Sequence, residues 1–232
     1  GAIDYSAIHN SLAQLLGATY ECRRKPQELL VIIRSTATSG STDELAKNYK
    51  FKFAFNPEFL REKHALEDMK NTNRIIIGAE EPDIAEKIIS IYKPLFPNAV
   101  YRFRNRKTAE MDKYANNFML SLQVLGANVI YEICKKSGID YNEVKQDILL
   151  DDRIAKNIDV PGNDRYLGFG GKCFPKDLRA LTDKAKILGV GNPTIRFLEE
   201  MWNYNLELRG KDGQDWMNIK GATSENKHKH EK

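Results

Sequence analysis

Residues 74–103 read RIIIGAEEPDIAEKIISIYKPLFPNAVYRF, and this stretch decides the fold class. Residues 74–78 are a short β-branched run without polar alternation, the pattern of a strand buried on both faces. Over residues 83–95, Ile84, Ile88, Ile91, Tyr92 and Leu95 fall on one helical face, and residues 99–103 return to a strand. The same order precedes it. Residues 29–33 (LLVII) form another buried strand. Residues 43–49 form a short helix that Ser41 or Thr42 can cap, and residues 52–55 a brief strand closed by Asn56-Pro57. Strands alternating with helices predict an α/β fold whose parallel sheet has right-handed crossovers. Ahead of them, Ile8, Leu12, Leu15 and Leu16 recur at helical spacing, so the sheet starts in mid-pattern.

From Thr108 the period changes. Met111, Tyr114, Ala115, Phe118, Met119, Leu122, Val129, Ile130 and Ile133 hold a helical spacing as far as Gly138, a C-terminal cap. Thirty residues of helix would be ~45 Å long, which suits an element that spans two domains or a subunit interface. Further helices are predicted over residues 141–150, 177–188 and 193–208. The irregular loop 151–175, rich in Gly and Pro, is long enough to suggest a functional segment. Residues 210–232 are polar, close with SENKHKHEK and read as a disordered tail. The organisation is therefore a partial sheet domain over 1–105, a helical domain over 106–209 and a tail over 210–232.

The chain has 232 residues, 41% of them hydrophobic, with a net charge of +4. That composition is globular, and the mild cationic excess suits anionic small molecules. It is too evenly spread for nucleic acid. No apolar run approaches a membrane span, and no basic-then-apolar leader opens the chain. Three cysteines, Cys22, Cys134 and Cys173, are odd in number and widely spaced, which excludes a disulfide framework and suits a reduced, cytoplasmic compartment.

Chemistry concentrates in Gly168-Phe169-Gly170-Gly171-Lys172-Cys173-Phe174-Pro175-Lys176-Asp177. Its glycines allow close backbone approach to a ligand. Cys173 precedes a helix that Asp177 would cap, with Lys172 and Lys176 nearby, and both a helix N-terminus and cations favour the thiolate. Cys173 is the candidate nucleophile, while Cys22 and Cys134 read as small buried apolar residues. Glu110, Lys113 and Asn117 share a helical face, which is either a solvated stripe or a functional one. Glu58 and Glu62, beyond the strand at 52–55, could serve as general base and water-orienting group, or be the exposed first turn of a helix. Arg34-Ser35-Thr36 closes the strand at 29–33 at the same sheet edge, where open α/β sheets bind ligands. His9 and His64 are isolated, no metal-ligand spacing occurs, and His228 and His230 lie in the tail, so no metal site is expected. No G-x-G-x-x-G occurs either.

In order along the chain, NPEFLRE (56–62), EMDKYANN (110–117), DDRI (151–154) and GFGGKCFPKD (168–177) resemble the UDP-glucose/GDP-mannose dehydrogenase family. The resemblance covers about residues 1–222. It implies a Rossmann-like NAD domain lacking its first half, then a helical dimerisation domain joined by the long helix, in a homodimer. It also implies NAD-dependent oxidation of a nucleotide sugar's C6 alcohol to a carboxylate, UDP-glucose to UDP-glucuronate. GDP-mannose is the alternative substrate, and an inactive dimerisation module is the alternative from another class. NTNRIIIG (71–78) is more like the UDP-glucose branch.

By resemblance Cys173 is the nucleophile, and Lys113 and Asn117 hold the C6 oxygen. Asp177 and Glu58 handle water and proton. Phe59 and Leu60 contact substrate through the backbone, Phe169 and Gly170 line the uridine-side loop, and Arg153 reaches the sugar nucleotide from the neighbouring subunit. Thr36 and Glu62 line the site beside the nicotinamide, and Lys176 is a candidate cofactor contact. Departures from the family pattern are Lys63 in place of Gly, Ala37-Thr38 in place of Val-Pro, and Val129 after Asn128. Without a glycine fingerprint, the chain is expected to bind the sugar nucleotide far better than NAD.

Overall fold

The computed structural model describes residues 4–61 and 64–218, which divide into two compact units, Asp4–Lys113 and the stretch from Tyr114 onward. The first unit holds α1 (Ser6–Glu21), β1 (Leu30–Ile33), α2 (Ser41–Tyr49), β2 (Lys52–Phe55), α3 (Ala65–Lys70), β3 (Arg74–Gly78), α4 (Pro82–Tyr92) and β4 (Val100–Arg104). The first two turns of α5 (Arg106–Ser137) belong to it as well. The expected elements form within a few residues of their predicted bounds, except that the six-residue α3 has no counterpart in the sequence reading.

The four strands lie in the order β1-β2-β3-β4. β1 and β2 are parallel, with Leu30 opposite Lys52 and Ile33 opposite Phe55, and so are β3 and β4. β2 and β3 are antiparallel, through the pair Phe55–Gly78, so the sheet is mixed where the alternating pattern predicts parallel strands throughout. The connections explain the difference. α2 and α4, of 9 and 11 residues, each return the chain for a parallel crossover. α3 rises only ~9 Å and does not carry the chain back along the strand. In consequence the carboxyl ends of β1 and β2 share a sheet edge with the amino end of β3.

Both faces of the sheet are covered, and the period of two sorts its side chains. Phe53 and Phe55 pack with Leu12, Ile33, Leu45 and Ala109 on one face. Ala54, Ile75 and Ile77 pack with Ile84, Ala85 and Ile88 of α4 on the other. Helix α5 lies directly on the end of β3. A Cβ at Gly78 would sit 2.7 Å from the Ala109 Cβ and 3.0 Å from the Arg106 Cα, so only glycine fits. α2 is not capped by Ser41 or Thr42, because the helix begins at Ser41 and takes both inside it. Its N-terminal amides are held instead by Glu110 of α5. The carboxylate accepts from Gly40 N (2.5 Å), Thr42 N (2.8 Å) and Thr42 Oγ1 (2.6 Å).

The second unit contains the remainder of α5 with α6 (Tyr141–Ile148), α7 (Cys173–Ile187) and α8 (Asn192–Arg209). Its core joins Leu125, Phe169, Leu178, Leu198, Met201, Trp202 and Trp216. A smaller cluster holds Ala127, Cys134, Tyr141 and Ile158, with the Tyr141 hydroxyl donating to the Ile158 carbonyl at 2.7 Å. Asp140 caps α6 by accepting from Asn142 N at 2.8 Å. The expected tail is corrected over 210–218. Trp216, in a short 3-10 turn Asp215–Asn218, is fully buried, because one large aromatic outweighs the polar residues around it. Residues 219–232 lie outside the described residues. Met119, Val129, Ile130 and Ile133 of α5 are exposed apolar side chains. No helix among the described residues is long and apolar enough to cross a membrane.

Candidate functional site

In the first unit the candidate residues gather where residues 56–61 leave β2. Asn56 pins the start of this loop. Its backbone N–H donates to the Ile33 carbonyl (2.9 Å), its Nδ2 donates to the Ile76 carbonyl (2.8 Å), and its Oδ1 accepts from Tyr92 (3.1 Å). Beyond Pro57, Glu58 turns back on itself, with Oε2 accepting from Leu60 N at 2.8 Å. Lys113, only 4% exposed, drives its Nζ into the same turn. It donates to the Glu58 carbonyl at 2.6 Å and lies 3.1 Å from Glu58 Oε1. The Phe59 ring faces two cations, with the Arg74 guanidinium 4.3 Å and Lys113 Nζ 5.7 Å from its centroid. Arg74 reaches the ring because β3 runs antiparallel to β2, so the sequence reading, with its parallel sheet, missed it. Thr36 is half-buried at the end of β1. Two residues on, Thr38 N donates to the Tyr5 hydroxyl at 2.8 Å, which fixes that connection. Glu62 lies outside the described residues.

The second unit brings together Asn117, Cys173, Lys176 and Asp177. Asn117 Nδ2 donates to Asp177 Oδ2 at 2.5 Å, and Lys176 pairs with the other Asp177 oxygen. Asp177 is 2% exposed and Asn117 5%. An amide and an ammonium therefore compensate a buried carboxylate, the condition for burying one at all. Asp177 does not cap α7. The helix begins at Cys173, and Asp177 stands one turn further along the same face. Cys173 is half-buried at the positive end of that helix. Of the other thiols, Cys134 is buried as expected, but Cys22 is exposed just after α1, so its reading as a core residue is corrected.

The glycine loop ahead of Cys173 approaches its own chain. Gly168 has φ +68°, its N–H donates to Asn128 Oδ1 (3.2 Å), and a Cβ there would strike Asn205. Asn205 clamps Phe169 from both sides, accepting from its N–H (2.8 Å) and donating to its carbonyl (3.0 Å). A Cβ on Gly170 would sit 2.6 Å from Asp215 Oδ1 and as close to the Arg209 guanidinium. The Phe169 ring is buried in the core, edge-on to Phe174. Arg153 is exposed and pairs with Asp151 at 2.5 Å, and that bond lowers the Asp151 carboxyl. Sequence reasoning missed Asn128, Asn205, Arg209 and Asp215. For the two asparagines the signal was a polar residue at an apolar-face position, three after Leu125 and four after Met201.

Comparison with known proteins follows the same division. The model of the UDP-glucose/GDP-mannose dehydrogenase family, NAD binding domain, matches residues 7–96, and that of the central domain of the same family matches residues 107–205. The chain is 36% identical over 163 residues to UDP-glucose 6-dehydrogenase of Rickettsia typhi, covering 68% of this chain and 37% of that protein. It is 30% identical over 211 residues to UDP-glucose 6-dehydrogenase of Pseudomonas aeruginosa, covering 86% and 44%. Among solved structures, a UDP-glucose dehydrogenase from Pyrobaculum islandicum aligns with a TM-score of 0.63 at 34% identity, covering 75% of this chain and 41% of that one. A ternary complex of GDP-mannose dehydrogenase from Pseudomonas aeruginosa aligns at 0.59 and 28%, covering 89% and 48%. The chain thus spans less than half the length of these relatives.

Proposed function

The chain belongs to the UDP-glucose/GDP-mannose dehydrogenase family, and from that premise we propose that it serves the NAD-dependent oxidation of a nucleotide sugar's C6 alcohol to a carboxylate, UDP-glucose to UDP-glucuronate. The observation that carries the proposal is the composition of α7. Cys173 opens the helix, and Asp177, one turn on, is buried against Asn117 and Lys176. Oxidation of C6 yields an aldehyde, to which the Cys173 thiolate adds to form a carbon–sulfur bond and a thiohemiacetal. Loss of a second hydride and the hydroxyl proton leaves a thioester. Water then attacks the carbonyl, the carbon–sulfur bond breaks, and the carboxylate and the thiolate are released.

Lys113 and Asn117, one turn apart on α5, are the donors assigned to the C6 oxygen, where a cation and an amide stabilise developing negative charge. Asp177 and Glu58 are assigned the water and its proton. The backbone of Phe59 and Leu60, with Phe169 and Gly170, is assigned to the substrate, and Arg153 to the substrate of a second copy. A homodimer through α5 is part of the same proposal, supported by the exposed Met119, Val129, Ile130 and Ile133. So are a cytoplasmic location and the division into a cofactor domain over 1–105 and a central domain over 106–209.

NAD, when bound, supplies the hydride acceptor for both oxidations. The residues present fit one end of it. Thr36 stands at the carboxyl end of β1, where open α/β sheets hold nucleotides. Glu62 and Lys176 are the other candidates from the family motifs. No glycine-rich βα turn that would hold a pyrophosphate occurs in the sequence. Calorimetric titration of the chain checks the assignment. UDP-glucose is expected to bind most tightly, GDP-mannose more weakly and NAD most weakly. Tighter binding of GDP-mannose would select the alternative substrate, and the absence of binding by either sugar nucleotide would refute the proposal.

A further inference from the structure

The geometry points to Asp215 as a positioning residue for Cys173, acting through the backbone of the glycine loop; the inference rests on the assignment of Cys173 as nucleophile. Asp215 lies 42 residues beyond Cys173 in the chain, within a segment whose composition reads as tail. Yet both its carboxylate oxygens accept from Gly171 N, at 3.1 and 3.0 Å, two residues before the thiol. Gly171 has φ +74° with open space where a Cβ would be, and its N–H is held by this carboxylate. A charge-assisted bond of that kind is about twice as strong as a neutral one.

The carboxylate is itself held by two further groups. Its Oδ1 accepts from Trp216 N at 3.0 Å, and Arg209 Nη2 stands 3.4 Å away. Trp216 anchors the turn in the core. Arg209, whose side chain is fully buried, is fixed in turn by Asp164 at 2.7 Å and by the Gly213 carbonyl, and it stacks over Tyr166 and Trp216. The Gly170 Cα packs so closely on Arg209 and Asp215 that any side chain there would collide with both. A rigid latch from the end of α8 therefore grips the two peptides that deliver the chain to Cys173. α7 has no side-chain cap of its own, since Lys172 at the N-cap makes no such bond. The approach angle of its first turn is thus set from outside the helix.

The test is native-state alkylation of the chain with iodoacetamide, followed by peptide mass spectrometry, with Cys22 as the exposed reference thiol and buried Cys134 as the reporter of unfolding. In the wild type Cys173 is expected to react faster than Cys22. In Asp215→Ala the ratio of the two rates falls by about fivefold to tenfold, toward that of an ordinary exposed thiol, as the thiolate loses its helix-terminal setting. Asp215→Asn keeps one acceptor oxygen and restores most of the ratio, which a loss of stability alone does not explain. Should Asp215→Ala label Cys134, Asp215→Ser replaces it, since the half-exposed site tolerates a small polar group. An unchanged or raised ratio in the variant would overturn the latch. Amide exchange over residues 168–172 separates the two ideas. Fast exchange there in the wild type also defeats the latch, whereas a wild-type Cys173 slower than Cys22 defeats the nucleophile assignment and not the latch.

Discussion

Glu110→Ala is expected to lower the stability of the chain by about 3 kcal/mol, because three donors lose their acceptor at once. The Glu110 carboxylate is fully buried and takes Gly40 N, Thr42 N and Thr42 Oγ1. Alanine leaves these donors at the start of α2 without their acceptor. Burial pushes the Glu110 carboxyl above the usual glutamate range, while the bonds from Thr42 and Gly40 pull it down. The folded chain therefore holds this proton more tightly than the unfolded chain does. The stabilisation so gained is complete below the unfolded value of about 4.3 and is lost as pH rises through the folded value. Relative to Glu110→Gln, which cannot titrate, the wild type should lose ground over that interval. Urea unfolding followed by circular dichroism at several pH values measures both effects. An Ala variant with the wild-type midpoint would show that α2 needs no such cap.

Trp216→Ala is expected to cost about 3–5 kcal/mol, the range for deleting a large aromatic from a core. Trp216 is 0% exposed and packs on Trp202 with ring centroids 5.6 Å apart. Its removal also frees the turn that carries Asp215. The remaining Trp202 is the only other tryptophan in the chain and reports on the second unit directly. Its fluorescence transition should move to markedly lower urea, with weaker amide protection over residues 168–172. If the transition stays where it is, residues 210–218 are a dispensable tail after all.

How far the sequence discloses the fold varies with the element. The runs at 29–33 and 74–78 and the helical spacing of α5 carry their own periods, so strand and helix are legible without tertiary information. Strand direction is not. Whether β3 runs with or against β2 depends on how the chain crosses from residue 56 to residue 73, and no local preference encodes that path. Arg74 beside Phe59 was invisible for the same reason. α3 is too short for a period to show, and Trp216 was masked by the polar residues around it. Among the candidate residues, Cys173 stood out by its residue type within a glycine loop, whereas Lys113, Asn117, Asp177 and Glu58 took their roles from the family motifs around them. Asn128, Asn205 and Asp215 act on backbone amides and carbonyls from a distance in sequence, and such partners leave no spacing to read.

The central claim is that Cys173 is the nucleophile of a nucleotide-sugar oxidation, and ligand-dependent alkylation tests it most directly. On access alone, exposed Cys22 should react before half-buried Cys173. Iodoacetamide at neutral pH, with peptides quantified over time in the presence and absence of UDP-glucose, reverses that order if the account is right. Cys173 is labelled first, Cys134 last, and UDP-glucose slows Cys173 while leaving Cys22 unchanged. Labelling led by Cys22, with no effect of UDP-glucose on Cys173, would contradict it.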